Sequence, residues 1–162
     1  MGKFIRNLIE FSGEKLLPIG NCVVPQSNSF KQNTLDVNFQ IQKDQYGIDK
    51  ILKMNVDVEL ISYKIVKTSV GISEEGQELT GKKLLLVGEF TLKTSYISNS
   101  PDNKVDSYNV VIPFCDYIVL PKDFKNITTT KPEIYIEDIY IKKMSDTRFF
   151  GNITYLAQVE VN

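Results

Sequence analysis

Residues 54–65 read MNVDVELISYKI, and this stretch decides the fold class. Its apolar side chains alternate with polar ones and then change phase once, through Met54, Val56, Val58 and Leu60 and on to Ile61, Tyr63 and Ile65. A period of two is typical of a strand with one face on a core, and a single change of phase is typical of a β-bulge. The stretch therefore predicts a β-strand with a bulge near Leu60.

The same period of two returns along much of the chain. It is clearest in the closing segment, where one face would carry Phe149, Gly151, Ile153, Tyr155, Ala157, Val159 and Val161. Alternation also appears in 84–92, where Gly88 interrupts the apolar side chains, in 108–114 and in EIYIEDIYI at 133–141. Strands do not alternate with helices, which disfavours a doubly wound fold. We predict an antiparallel β-sandwich or open barrel of about seven to ten strands.

Two short segments near the N-terminus give weaker signals. The run FIRNLIEF at 4–11 is interpreted as one strand, whereas GIDKIL at 47–52 places Ile48, Ile51 and Leu52 at helical spacing. The second pattern predicts a helical turn or two. The fold is otherwise expected to be all β, in one domain over residues 1–162, because a chain of 162 residues suits a single core.

Composition narrows the classes of partner. Nineteen Lys and Arg balance twenty Asp and Glu, for a net charge of −1, and the basic residues do not cluster. We therefore expect no nucleic-acid partner. The longest apolar run, Leu84–Val87, is far too short for a transmembrane helix, and the N-terminus lacks the apolar core of a signal peptide, so membrane insertion and secretion are not expected.

The run EEGQELTGKK at 74–83 comes within one residue of a phosphate-binding P-loop. A P-loop needs Ser or Thr after its lysine and a helix beyond it. Here Lys83 occupies the hydroxyl position, a strand-like LLLVGEF follows, and three glutamates would repel a polyphosphate. We interpret the run as a glycine-containing turn between strands and expect no nucleotide cofactor.

Residues for catalysis are scarce. The chain has no histidine, and its two cysteines, Cys22 and Cys115, lie far apart, so Ser-His or Cys-His catalysis and a metal site have no support. Adjacent acidic residues such as Glu137 and Asp138 would point to opposite faces of a strand, so they would not form a carboxylate pair for hydrolysis. We expect no enzyme activity, cofactor or metal.

Four aromatic residues near the C-terminus exceed what one core face can hold. Tyr135, Tyr140, Phe149 and Phe150 occupy adjacent or opposite strand parities, so they cannot all point inward. Exposed aromatic side chains are common anchors of protein interfaces. These four residues are therefore the candidate partner-binding site.

Four stretches resemble the SPOCS domain, a clostridial domain of spore-coat assembly proteins. They are IRNLIEFSG with SFKQNTLDVNFQI and GIDKIL; VDVELISYKIVKT with EEGQELTGKKLLLVGEF; VIPFCDYIVLP; and IEDIYIKKMSDTRFFGNITYL. The second is similar to the family's EG-x-x-LTG-x-KL block and the fourth to its EDI…R…F-x-N closing strands. The resemblance spans about residues 4 to 157 in the family's order, with one copy of the domain and no LysM module.

The resemblance implies a non-catalytic structural or protein-interaction domain in spore-coat or spore-envelope assembly. Its partner would be another protein such as a coat component, or a second copy of the chain, and its location the mother-cell cytoplasm or the spore surface. The alternative is a small-ligand or carbohydrate binding protein. A polar pocket with converging carboxylates would favour the alternative, and a flat surface or an exposed strand edge would favour interaction with a protein.

Overall fold

The computed structural model describes residues 1–17, 28–42, 45–125 and 131–161. These ranges contain strands and connecting turns and no helix. The strands are β1 (Gly2–Arg6), β2 (Ile9–Gly13), β3 (Asn28–Gln40), β4 (Ile48–Ile72), β5 (Glu78–Ser98), β6 (Val105–Val119), β7 (Glu133–Lys143) and β8 (Arg148–Glu160). The mostly-β prediction is thus confirmed.

The eight strands form two sheets. One has five strands in the order β1-β2-β4-β5-β6, and the other has three in the order β3-β8-β7. Neighbouring strands are antiparallel except for β2 and β4, which run parallel over three residue pairs. The arrangement is that of a β-sandwich in which β4 and β5 are much longer than the rest.

The sandwich is joined along both sides. After β2 the chain reaches the edge of β7, where the Ile136 amide donates to the Lys15 carbonyl and the Leu17 amide donates to the Ile136 carbonyl, both at 2.8 Å. On the other side, Asp116 of β6 accepts hydrogen bonds from Lys31 and Asn33 of β3. Backbone pairing closes one side, and side chains close the other.

The core fills the space between the two sheets. Phe90 of β5 lies with its ring centre 4.9 Å from that of Phe114 and 5.3 Å from that of Tyr155, which joins the sheets through aromatic contacts. Branched side chains from both sheets surround this group, and burying each one fully contributes about 1.5–3 kcal/mol. The fully buried members include Val56, Leu84, Leu86, Leu92, Ile118, Ile136, Ile139 and Ile153.

The bulge predicted near Leu60 is confirmed. The pairing of β4 with β5 shifts register between Leu60 and Ser62, so Val58 and Leu60 before the bulge and Tyr63 and Ile65 after it share the core-facing side. Gly88 lies opposite Leu60, and a Cβ there would clash with the Glu59 carbonyl oxygen and lie 2.8 Å from Phe114 Cζ. Glycine is therefore required for the close approach of strand and ring.

Two N-terminal predictions are wrong. The run 4–11 is a hairpin of β1 and β2, with Asn7 and Leu8 at positive φ in the turn. In segment 47–52, β4 begins at Ile48, and the segment is not helical. Register shifts between Ile48 and Lys50 and again between Ile51 and Lys53 bury Ile48 and Ile51 on a strand. Irregular strand pairing therefore imitates the spacing of a helix.

Candidate interaction surfaces and polar sites

The near-P-loop belongs to the turn and start of β5. Ser73 and Gly76 form the turn between β4 and β5, where the Gly76 amide donates to the Ser73 carbonyl at 2.9 Å. Gly76 has φ +82° and Gly81 has φ +85°, conformations that glycine adopts without strain. The lysine side chain of Lys82 donates to the carbonyls of Lys122 and Phe124, both at 2.8 Å, and so fastens a loop. These contacts give the run a structural role as a turn.

Three of the four predicted aromatic residues lie on the outer face of the three-stranded sheet. Phe150 is exposed, whereas Tyr135 and Tyr140 are half-buried. A register shift between Ile136 and Asp138 brings both tyrosines to this face although their numbers differ in parity. Tyr135 already contacts its own chain, since its hydroxyl donates to Glu133 at 2.8 Å and the Lys15 ammonium lies 5.2 Å from its ring centre.

The prediction that Phe149 belongs to the partner-binding surface is wrong. Its side chain is only 1% exposed and stacks on Phe39, with ring centres 5.4 Å apart. Phe149 and Phe150 are neighbours on β8, so they point to opposite faces, and the inward one fills the core. Phe149 is therefore unavailable to a partner in the folded domain.

A second exposed apolar surface, distinct from the aromatic one, lies along β4. Within the described residues, β2 pairs with β4 only as far as Asn55, and from Asp57 to Ile72 the only strand paired with β4 is β5. This free edge carries several exposed apolar side chains: Ile61, Tyr63, Ile65, Val70 and Ile72. Tyr63 and Ile65 lie opposite the fully buried Leu86 and Leu84, so the core-facing side of the sheet continues here without full cover.

The free edge is regular over six residues. Ser62 to Lys67 pair in unbroken register with Val87 to Lys82, between a shift at Leu60/Ser62 and another at Lys67/Val70. We call this segment the Ser62–Lys67 edge. Beyond it, β4 and β5 continue as a two-stranded arm, because the pairing of β6 with β5 begins at Lys83.

A buried polar cluster joins β6 to β3 and β8. Asp116, only 4% exposed, accepts a hydrogen bond from Tyr155 at 2.9 Å and one from Asn33 at 3.1 Å, and pairs with the Lys31 ammonium at 2.6 Å. The Tyr117 amide donates to the same carboxylate at 2.8 Å. Four donors thus surround one carboxylate, as burial of a charge requires.

The same contacts change the acidity of two groups. Burial opposes ionisation of Asp116, but Lys31, the Tyr117 amide, Asn33 and Tyr155 together outweigh it, so the pKa of the Asp116 carboxyl is lowered. Burial, and next the Asp116 carboxylate, raise the pKa of Tyr155 well above its ordinary value. These shifts favour an ionised Asp116 carboxylate beside a neutral Tyr155 hydroxyl, so the hydroxyl donates the hydrogen bond and the carboxylate accepts it.

The described part of the surface includes three clefts that could hold a small molecule. Two adjoin Asp57–Leu60 on β4, with volumes of about 390 and 440 Å³, and their linings mix acids with lysines. Asp57 there pairs with Lys93 at 3.2 Å. The third, of about 250 Å³, lies at one end of the sandwich beside the β1–β2 turn. Among the described residues, no group of three or more Cys, Asp or Glu could hold a metal ion.

Comparisons with known proteins add no identification: no protein-family model, curated protein or solved structure matches this chain. The resemblance to the SPOCS domain therefore stays a prediction. In the described part of the chain, no helix is long and apolar enough to cross a membrane.

Sequence reasoning missed both the Asp116 cluster and the free edge. Asp116 sits between apolar residues in FCDYIV, where an isolated acid could only be recognised as buried once its strand was known to face the core. The free edge had a sequence signal, because Lys64 lies between the apolar Tyr63 and Ile65, and a second lysine, Lys67, follows shortly after. Lysine is common on edge strands.

Proposed function

We propose that this chain is a non-catalytic interaction domain that binds another protein by adding a strand to the Ser62–Lys67 edge. The proposal depends on one observation: within the described residues, a long part of β4 has no strand paired with it on the edge that faces away from β5. Along this part, Tyr63 and Ile65 remain partly exposed on the core-facing side of the sheet. An incoming strand would cover both the backbone and these side chains.

The physical basis is the unused hydrogen-bonding capacity of a sheet edge. Every second residue of an edge strand directs its backbone N–H and C=O away from the sheet. A partner in extended conformation satisfies these groups, and side chains at alternate positions provide specificity. Tyr63 and Ile65 would supply the apolar contact on one face, while Lys64 on the other face would favour an acidic neighbour.

The bulges at both ends limit what the edge can bind. Bulges and lysines discourage uncontrolled pairing of edge strands. Here they leave six regular positions, close to the ordinary strand length of about five or six residues. The edge thus suits one short strand and resists growth into a longer ladder. This restriction favours a defined partner over aggregation.

The resemblance to the SPOCS domain supports a role for this binding in spore-coat or spore-envelope assembly. On that basis the partner would be a coat component, and the domain would act in the mother-cell cytoplasm or on the spore surface. The outer aromatic surface of Tyr135, Tyr140 and Phe150 is the competing binding site. It is smaller than first expected because Phe149 is buried.

A pull-down from sporulating cells with four forms of the protein separates the two surfaces. Ile65→Lys places a charge where the incoming strand would pack, and the double variant Tyr140→Ala/Phe150→Ala removes the outer aromatics. Val111→Lys is the matched control, since Val111 is an exposed residue on β6 at the far edge of the same sheet. Circular dichroism establishes that every form is folded.

We expect wild type, Val111→Lys and the double aromatic variant to recover the same partner, and Ile65→Lys to lose it. Loss in the double variant alone would assign binding to the outer face of the three-stranded sheet. Equal recovery by all four folded proteins would reject both surfaces.

A further inference from the structure

The β1–β2 turn has an unusual composition. Leu8 has φ +65° and follows Asn7 at φ +50°, and its side chain is 91% exposed. Tight hairpin turns with two residues at positive φ strongly favour glycine at the second position, because a bulky side chain is strained there. A leucine that is both strained and exposed contributes little to the stability of the turn. Such local strain often marks a functional position.

Leu8 lies on the rim of an apolar cleft. The cleft has a volume of about 250 Å³, and its lining includes Ile51, Ile141 and Phe149, each at most 6% exposed. A water molecule takes about 30 Å³, so the space corresponds to about eight water molecules. A compact apolar body of about eight carbon atoms would therefore fill it.

The rim of the cleft is more basic than acidic. Lys50, Lys142, Lys143 and Asp49 line it. Lys143 is already engaged, since its ammonium pairs with Asp146 at 3.1 Å and donates to the carbonyls of Ile48 and Asp49. Within the described residues, no carboxylate pairs with Lys50 or Lys142. Among the described residues, Lys50 and Lys142 are thus two cations without an ion-pair partner, against the single carboxylate of Asp49.

We propose that this cleft binds a small amphiphile, namely a medium-chain or aromatic carboxylate whose apolar body lies against Ile9 and Ile51 beneath Leu8. Its carboxylate would lie at the rim near Lys50 and Lys142. Charge complementarity selects an anionic head group, and the apolar floor selects the body. This site is separate from the Ser62–Lys67 edge, so it does not depend on the proposed protein partner.

Titration of the ¹⁵N-labelled full chain with octanoate, followed by NMR, tests the site. Octanol serves as a neutral probe with the same chain length. We expect saturable shifts at the amides of Leu8, Ile51 and Lys142, with octanoate binding more tightly than octanol. No saturable shift with either probe, or shifts elsewhere on the surface only, would overturn the proposal.

Three variants separate the two halves of the site. Leu8→Gly should weaken binding of both probes and raise the melting temperature, because glycine relieves the strain at positive φ. Lys50→Gln/Lys142→Gln should raise the Kd for octanoate about threefold to tenfold and leave octanol unchanged. Lys64→Gln, on the distant β4 edge, is the control for charge and should change neither.

Each variant also has a contradicting result. Unchanged probe binding in Leu8→Gly would reject Leu8 as part of the site. A lower melting temperature in that variant would show that the Leu8 side chain stabilises the fold, which contradicts the strained turn. An equal rise of the Kd for octanoate in Lys64→Gln would show that Lys50 and Lys142 act only through the overall charge of the protein.

Discussion

Replacing Asp116 with alanine should destabilise the domain because it removes the acceptor that joins β6 to β3 and β8. In the native protein the Asp116 carboxylate accepts from Tyr155 at 2.9 Å and from Asn33 at 3.1 Å and pairs with Lys31 at 2.6 Å. Alanine leaves these donors in place without their shared partner. A buried donor without an acceptor loses the full free energy of its hydration.

The size of the effect follows from the exposure of each donor. The Tyr155 hydroxyl is buried, and leaving it unpaired costs about 1–3 kcal/mol. The Lys31 side chain is 32% exposed and can turn to water, so its ion pair adds at most about 1 kcal/mol. With the Asn33 contact, the expected loss is about 3 kcal/mol. For a domain of this size the melting temperature should fall by about 6–12 °C.

Urea denaturation at neutral pH measures this loss, with Asp36→Ala as the control. Asp36 is an exposed acid on β3 with no side-chain partner among the described residues, so its removal should change the free energy of unfolding by less than about 0.5 kcal/mol. A loss below about 1 kcal/mol in Asp116→Ala would refute the reasoning, because the cluster would then contribute no more than a surface ion pair.

The pH dependence of stability tests the contribution of the Asp116 cluster independently. The pKa of Asp116 is lowered in the folded protein, so its contribution is present above about pH 3.9 and is lost as pH falls through the lower folded pKa. The pKa of Tyr155 is raised, so its contribution is present below about pH 10 and is lost as pH rises beyond that value. Asp116→Ala should therefore show a shallower decline of stability in acid than wild type.

Other substitutions test the fold and the assigned turns. Gly88→Val should lower the free energy of unfolding by about 1–3 kcal/mol through overpacking, and an unchanged melting temperature would contradict the close strand approach. Phe149→Ala should lose about 3–5 kcal/mol, whereas the exposed Phe150→Ala should lose far less, and equal effects would contradict their opposite orientations. Leu8→Gly should raise stability in thermal denaturation by up to about 1 kcal/mol, because relief of about 1–2 kcal/mol of strain at positive φ exceeds the entropic cost of glycine of about 0.5–1 kcal/mol, and a decrease would contradict the strained turn. Calorimetry should detect no ATP or GTP binding, and binding that Lys82→Ala abolishes would overturn the interpretation of 74–83 as a turn.

Strand content and the faces of the longer strands could be predicted from the sequence, because side-chain alternation records which face is buried. The phase change after Leu60 even located a bulge. The same rule failed at Ile48 and Ile51, where two closely spaced irregularities produced helical spacing on a strand. A local pattern cannot distinguish these cases, because both place apolar residues three positions apart.

The candidate surfaces were harder to predict, because they depend on how the sheets meet. Parity alone required that Phe149 and Phe150 face opposite ways, but only the structure shows which one enters the core. The free edge of β4 exists because the chain leaves β2 after Gly13 and joins β7 instead. Such a choice of neighbour is set by long-range packing, so Lys64 could indicate an edge strand but could not show which strand would be missing beside it.

Site-specific photo-crosslinking in cells that produce the protein tests strand addition at β4 most directly. A photoreactive amino acid replaces Lys64 on the Ser62–Lys67 edge in one form and Asn109, an exposed residue on β6, in the other. Strand addition predicts one discrete protein adduct from position 64 that Ile65→Lys abolishes, and no such adduct from position 109. The same adduct from both positions, or none from position 64 in folded protein, would contradict binding at the β4 edge.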